Sequence, residues 1–433
     1  FASVEVGWKS MLYLTLTGRN DWASQLANSS TSSFFYPSVG LSGVISEMIQ
    51  MPSFIDYMKV RGSFSSVGMP YPRNLTSPTY EYNEATQSWK PKTHYPIGDL
   101  KPERTDSWEV GLDMKLFKDF NLGLSWYLAN TFNQTFDPQI SVSSGYTTIY
   151  LQTGYVRNTG LELSLGYGHT WNNNFRWDSN FTLSHNKNKI KELVRDYVHP
   201  ETGELINKNR LDVGGLGKAR FILKEGGTLG DLYTQSDLKR DDNGMVDIDP
   251  TGIVAIENNL PDIKLGSVFP KANLAWSNHF SWKGISLSAL FTARIGGIVY
   301  SATEAAMDQY GVSERSALGR DNGGVLVNNR TLVDAQNYYT TIGSESGLPQ
   351  YYTYNATNVR LQEASIGYLI PRKWLGNVCD IQVSVIGRNL WMIYNKAPFD
   401  PESVATTDNY YQGIDYFMLP STRNIGFNVK INF

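Results

Sequence analysis

The ten residues Asn424-Ile425-Gly426-Phe427-Asn428-Val429-Lys430-Ile431-Asn432-Phe433 alternate polar and apolar without a slip. A period of two marks a strand with one face in an apolar medium and the other in water. No other feature restricts the fold as much, because it recurs along the chain. In Ser107 to Phe117, Trp108, Val110, Leu112, Met114 and Leu116 share one face, with Glu109, Gly111, Asp113 and Lys115 between them. Leu122, Leu124, Trp126 and Leu128 repeat the pattern, as do Leu161, Leu163, Leu165 and Tyr167 around Glu162 and Ser164. Phe175, Trp177, Phe181 and Leu183 alternate with Arg176, Asp178, Asn180 and Thr182. Ile285, Leu287, Ala289, Phe291, Ala293 and Ile295 complete the clearest cases.

Soluble antiparallel sandwiches alternate in the same way. Their strands are shorter, about 5 to 6 residues, and need no indole or phenol at the ends of the oily face. Here Trp8, Trp108, Trp126, Tyr167, Trp177 and Trp276 lie on or near such ends, as in an interfacial aromatic girdle. The expected fold is all-β, a transmembrane antiparallel β-barrel. Composition is compatible: over 433 residues the mean hydropathy is -0.33, and no run of 18 apolar residues offers a transmembrane helix. Thirty-eight Lys+Arg against 41 Asp+Glu give a net charge of -3, which leaves no basic footprint for nucleic acid. The single Cys379 excludes an intrachain disulfide.

Thirteen strands are expected, near 1–9, 11–19, 34–45, 58–67, 107–117, 121–130, 155–169, 175–188, 269–280, 285–296, 357–369, 380–391 and 423–433. Links at 10, 46–57, 118–120, 170–174, 281–284 and 370–379 are short. Those at 20–33, 68–106, 131–154, 189–268, 297–356 and 392–422 are long. Such alternation is the pattern of periplasmic turns and extracellular loops, with Phe433 ending at the periplasmic rim. Val359 and Leu361 point one way and Ala364, Ile366 and Tyr368 the other, so a β-bulge is expected near Gln362-Glu363. Bacterial single-chain barrels have even strand counts. An odd set that opens inside a strand is therefore expected to be the C-terminal part of a larger barrel. Loops of this size fit the plugged class of about 22 strands, with the plug outside residues 1–433.

Several landmarks stand in order along the chain. They are Asp99-Leu100-Lys101-Pro102-Glu103-Arg104-Thr105-Asp106-Ser107-Trp108-Glu109-Val110-Gly111, Asn158-Thr159-Gly160-Leu161-Glu162 and Arg294-Ile295-Gly296-Gly297-Ile298-Val299-Tyr300-Ser301. Asn358-Val359-Arg360-Leu361-Gln362-Glu363-Ala364-Ser365-Ile366-Gly367-Tyr368, Gly387-Arg388-Asn389-Leu390-Trp391 and Phe399-Asp400-Pro401-Glu402 follow. In order and spacing they resemble the SusC/RagA-like branch of TonB-dependent outer-membrane transporters. The resemblance implies energised import across the outer membrane of a Gram-negative cell. It implies a plug upstream of this chain that contacts TonB, and a SusD-like lipoprotein lid that captures an oligosaccharide or oligopeptide.

Other motifs point less far. Asp241-Asp242-Asn243-Gly244 with Asp247 and Asp249 lacks the oxygen spacing and the terminal Glu of a calcium loop, and reads as an acidic turn. Gly214-Gly215-Leu216-Gly217-Lys218 lacks the spacing of a phosphate loop. His94, His169, His185, His199 and His279 are scattered without paired-ligand spacing. Ser301 to Asp308 reads as a capped helix, with Ser301 as N-cap and Glu304 three residues on. No cofactor or metal site is expected. Substrate contact is expected from aromatics in the long loops, with Tyr82, Trp89, Tyr338, Tyr339, Tyr351, Tyr352 and Tyr411 as candidates. Such rings offer broad contact with a polar handle. Tyr80, Tyr95, Tyr354, Tyr394, Tyr410 and Tyr416 belong to the same loops. Three function classes stay open: an active importer, a passive porin, and an outer-membrane hydrolase. The last would need a nucleophile and base at one rim, where His185 is the strand-end histidine.

Overall fold

The computed structural model describes residues 1–26, 29–69, 80–91, 94–95, 101–136, 143, 146–198, 205–376, 378–407 and 411–432. Thirteen strands form one sheet in sequence order. They are β1 (Ala2–Trp8), β2 (Leu12–Trp22), β3 (Ser33–Val44), β4 (Ile55–Met69), β5 (Glu103–Leu116), β6 (Phe120–Phe136), β7 (Leu151–Thr170), β8 (Arg176–Glu192), β9 (Ala272–Trp282), β10 (Ile285–Ile295), β11 (Asn358–Ile370), β12 (Asp380–Asn395) and β13 (Asn424–Asn432). Every neighbouring pair is antiparallel. Consecutive antiparallel strands place alternate connections at opposite ends of the sheet. Those after β1, β3, β5, β7, β9 and β11 are short and gather at one end. The long ones gather at the other. The β3–β4 turn includes a one-turn helix, α1 (Ile45–Met48). Phe433 lies outside the described residues.

The apolar face of the sheet points outward: Trp108, Val110, Trp276, Leu287, Ile366 and Val385 are all exposed. The other face carries Asp113, Asn121, Ser164, Asn180, His279 and Ser288, which line a shared cavity. The expected bulge is present. Leu290 pairs with Glu363 and Phe291 with Leu361, leaving Gln362 as the extra residue.

Buried apolar side chains lie mostly in the assembly made by the long loops. Phe136, Ile190, Phe221, Leu223, Leu232, Tyr300, Tyr352 and Ile414 belong to one core there. We call this assembly the cap. The β8–β9 connection supplies a four-stranded antiparallel sheet of Arg210–Leu216, Ala219–Lys224, Asp231–Thr234 and Ile263–Ser267. The β10–β11 connection supplies α2 (Ala302–Gln309), α3 (Glu314–Asp321) and α4 (Ala335–Gly343). Ser301, Ser313 and Asp334 cap these helices, accepting from the backbone N–H of Glu304, Ser316 and Asn337. The β12–β13 connection is stitched in by Ile414–Asp415, which pairs in parallel with Tyr300 and Ser301. Among the described residues no helix is long and apolar enough to cross a membrane.

Candidate functional site

The inner face of the sheet and the underside of the cap form the candidate pathway. A cavity of about 900 Å³ lies against strands β4 to β11, bounded by Asp113, Asn121, Asp178, Asn180, His279 and Glu363. The polar part of its wall comes from residues that alternate with the outward leucines and tryptophans, and Met114, Leu122 and Leu290 line it beside them. Arg61 on β4 reaches across this wall. Its Nη2 donates to Glu109 Oε1 at 3.0 Å and to Ser125 Oγ at 2.6 Å, and its Nη1 donates to Asp113 Oδ2 at 3.1 Å. Gly111 leaves the space for this reach: a Cβ there would meet Arg61 Nε at 2.6 Å. Midway along β11 and β12 Arg388 donates to Glu363 at 2.8 Å.

The landmarks meet where wall joins cap. Arg360 on β11 is buried and pairs bidentately with Asp400, Nη2 to Oδ1 at 2.9 Å and Nη1 to Oδ2 at 3.1 Å. Its Nε donates to Asn358 Oδ1 at 3.1 Å, and Glu402 lies 3.3 Å away. Burial by itself would raise the Asp400 carboxyl; hydrogen bonds from Arg360 and the Glu402 backbone outweigh it and hold that carboxyl below its ordinary value. The Asn358-Val359-Arg360 and Phe399-Asp400-Pro401-Glu402 segments are thus one clamp. Nearby, Gly296 and Gly297 turn the chain with φ of 77° and 83°, and Arg294 Nη2 donates to Val268 O at 2.7 Å.

Inside the cap Asp308 is a buried hub, 1% exposed. It accepts from Ser313 Oγ at 2.5 Å, from Arg315 Nε at 2.9 Å and from Tyr352 Oη at 2.9 Å. Arg315 also sits 4.7 Å from the Tyr352 ring centre. Burial first, then the Asp308 charge, pushes the Tyr352 phenol far up.

The candidate aromatics do not form one cluster. Tyr82 and Trp89 face each other across the hairpin of Tyr80–Asn83 and Ser88–Pro91, ring centres 5.1 Å apart and both exposed. Tyr80 on the same hairpin is exposed as well. Tyr338 and Tyr339 meet edge to face at 5.4 Å on α4, and Tyr339 Oη donates to Arg315 O at 3.0 Å. Tyr339 also borders a pocket of about 310 Å³ with Gln309, Arg320 and Thr340. Tyr351 packs on the cap core, and burial raises its phenol. Tyr411 is exposed and leans over Gly214. Tyr352 requires correction as a substrate contact: it is 0% exposed, and its ring and hydroxyl are both used within the core. Tyr354 packs edge-on against Phe399, and Tyr410 lies outside the described residues.

The other motifs are accounted for locally. Asp241 Oδ1 accepts from the N–H of Asn243 and Met245, and Asp249 Oδ1 from those of Thr251 and Ile253, so both carboxylates cap turns. Gly217, with φ of 57°, turns the hairpin between Arg210–Leu216 and Ala219–Lys224, while Lys218 pairs with Glu345 at 2.7 Å. His185 Nδ1 lies against the Lys271 carbonyl, His279 Nδ1 is 2.7 Å from Ser288 Oγ, and His169 Nδ1 is 2.9 Å from Asp119 Oδ2. His199 and the side chain of His94 lie outside the described residues. Sequence reasoning missed Asp308 and Arg315 as a hub and Arg61 as the crossing cation. Gly111 opposite a basic residue on the polar face was the available signal for Arg61.

Comparison with known proteins gives three kinds of match. The family model described as TonB dependent receptor-like, beta-barrel matches residues 1–390. TonB-dependent receptor P3 of Formosa agariphila is 23% identical over 99% of this chain and 45% of its own length. TonB-dependent receptor P26 of the same organism is 24% identical over 100% of this chain and 46% of its own. The chain therefore spans about half the length of these relatives. The solved RagAB peptide transporter superposes with a TM-score of 0.76 at 19% identity, covering 99% of this chain and 47% of that one. The RagAB peptide importer in its 'open-open' state gives 0.72 at 18% identity. At these identities the structural likeness shows the fold.

Proposed function

This chain belongs to the TonB dependent receptor-like β-barrel family, and from that premise we propose that it forms part of an outer-membrane transporter importing a nutrient oligomer, an oligosaccharide or oligopeptide, by TonB-dependent action. The observation that carries this reading is the pairing of an outward apolar face with a polar inner wall beneath an ordered cap. Lipid tolerates only structures whose backbone groups are all paired. β1 and β13 are the edges of the described sheet, so further strands would join them to close a barrel of about 22 strands. In this reading the long connections face outside the cell, the short ones face the periplasm, and all of residues 1–433 belong to the barrel. A plug contacting TonB would occupy the remainder of the transporter.

The wide cap supports capture by a surface partner. A SusD-like lipoprotein lid would close over it, with Tyr82, Trp89, Tyr338, Tyr339, Tyr351 and Tyr411 offered as substrate contacts. Tyr82, Trp89 and Tyr411 are the most accessible of these. Peptide cargo finds support in the RagAB likeness, and the exposed rings serve sugar faces equally well. The test is growth of the native host on defined peptides or glycans as sole nutrient, with the full-length gene intact, deleted, or paired with a tonB deletion. Loss of growth on one nutrient in both deletions is expected. Undiminished uptake without TonB would instead indicate a passive pore.

A further inference from the structure

The short-turn end of the wall carries a continuous belt of rings. Phe54 stacks on Phe117 at 5.7 Å, and Phe117 meets Phe120 at 6.4 Å. Phe120 meets Tyr167 at 4.7 Å, Tyr167 meets Trp177 at 5.1 Å, and Trp177 stacks on Phe280 at 5.8 Å. Rings placed so sit at the level of lipid headgroups. Four of the six short turns at this end of the wall bear a cation, those of Lys118 and Lys283 beside the belt itself. Lys9 lies 4.8 Å from the Trp8 ring and Lys283 4.7 Å from the Trp282 ring; Lys118 occupies the β5–β6 turn, and Arg372 and Lys373 the β11–β12 turn.

One stretch of the belt is hollow. Leu116, Phe117, Phe120, Leu165, Tyr167 and Phe181 line a groove of about 380 Å³ on the outward face. The turn that closes it is fixed on both sides. Phe117 N donates to Phe54 O at 2.9 Å, Lys118 N to Asp56 Oδ2 at 2.5 Å, and Gly168 N to Asp119 O at 3.0 Å. Lys118 is held at φ 66°, exposed, between the two phenylalanines that rim the groove. An apolar slot of this size, with the exposed Lys118 side chain in the turn at its end, matches an acyl chain joined to a phosphate.

We infer that this groove is a specific phospholipid site of the periplasmic leaflet, with one acyl chain between Phe117, Phe120 and Leu165 and an anionic headgroup at Lys118. The inference rests on the membrane reading above, and its test separates the two. Full-length transporter is extracted from outer membranes in mild detergent and titrated with phosphatidylglycerol or phosphatidylcholine of equal chain length, with bound lipid counted by native mass spectrometry. A heat-modifiable band in the membrane fraction reports the membrane reading independently of the lipid count. Its absence overturns both claims. Wild-type protein should retain a single phosphatidylglycerol in preference to phosphatidylcholine. Lys118→Asn, which suits the left-handed backbone, should weaken phosphatidylglycerol about fivefold, since a cation near a charged membrane surface contributes about 1 kcal/mol. Phe120→Ala should weaken long-chain phosphatidylglycerol and leave a short-chain analogue unchanged. Equal retention of both lipids, or no change in either folded variant, overturns the site while leaving the membrane reading in place.

Discussion

Leu287 and Leu232 are both strand leucines, yet Leu287 is 47% exposed and Leu232 is 0% exposed. The first belongs to the wall, whose apolar side chains face away from the protein and take lipid as their solvent. The second belongs to the cap, which builds a core of its own as a water-soluble domain does. Wall strands are held to one another by ladder hydrogen bonds, with their apolar side chains turned outward. The cap is held by packing around Tyr300 and Tyr352 and by buried charge hubs. A perturbation that destroys one should spare the other.

The strongest test of that division is Tyr352→Ala. Truncating a buried aromatic costs about 3 to 5 kcal/mol, here with Asp308 losing a donor. Limited proteolysis should cut the cap of the full-length protein readily, while the barrel keeps its heat-modifiable mobility; simultaneous loss of both would erase the distinction. Arg360→Met probes the junction. Removing one partner of a buried pair costs about 3 to 5 kcal/mol, and the double variant with Asp400→Leu should recover most of it in a double-mutant cycle. A single variant without effect would show that the clamp holds nothing together.

For the wall, Leu287→Arg should cost about 2 to 4 kcal/mol near mid-membrane, with Ser288→Arg mild. Folding into lipid vesicles measures both, and equal costs would reverse the assignment of faces. The cap also answers to pH. The Tyr300, Tyr351 and Tyr352 phenols are all raised, in each case chiefly by burial. A raised phenol contributes stability that is whole below the unfolded value near 10 and is lost as pH climbs toward the folded one. Proteolysis of the cap should therefore accelerate above about pH 10, with phenolate absorbance rising in step. Asp262 works oppositely. Hydrogen bonds from Arg210 lead Lys224 in holding its carboxyl low against burial, so this contribution persists at neutral pH and fades only as pH falls below about 4. The smallest structural effect is expected from exposed Trp89→Ala, within about 0.5 kcal/mol. Its nutrient uptake should nonetheless drop; unchanged uptake would remove the hairpin from the capture surface.

The wall was legible in the sequence because its solvent is outside. Each strand must show its apolar face by itself, so Trp108 to Leu116 or Ile285 to Ile295 announce themselves locally. The bulge at Gln362 showed as a break in that parity. Ser301 and Glu304 revealed α2 through capping chemistry. The cap's remaining structure was not legible. The sheet of Arg210–Leu216 to Ile263–Ser267 and helices α3 and α4 are short, and their burial depends on partners far along the chain. Tyr351 and Tyr352 are adjacent and chemically identical, and it is Tyr352 that reaches Asp308 in the interior. Arg360 and Asp400 could be read as landmarks, but not as partners 40 residues apart.

The irregularity at Gln362 does not stop at one strand. β11 carries one more residue than β10 between Leu290 and Phe291. β12 then exceeds β11 between Leu361 and Glu363 and again between Val359 and Arg360, with Asn389 in a left-handed conformation at φ 55°. In a crystal such a succession would be a dislocation, an extra partial row whose edge marks where the lattice yields. Here it crosses the wall at the Arg360 clamp and just below it, where ladder bonds are locally interrupted. The upper reaches of β11 and β12 are therefore joined to the rows below by fewer ladder bonds than an unbroken pair would have, while the rows from Ala364↔Gly387 to Ile370↔Ile381 keep their register.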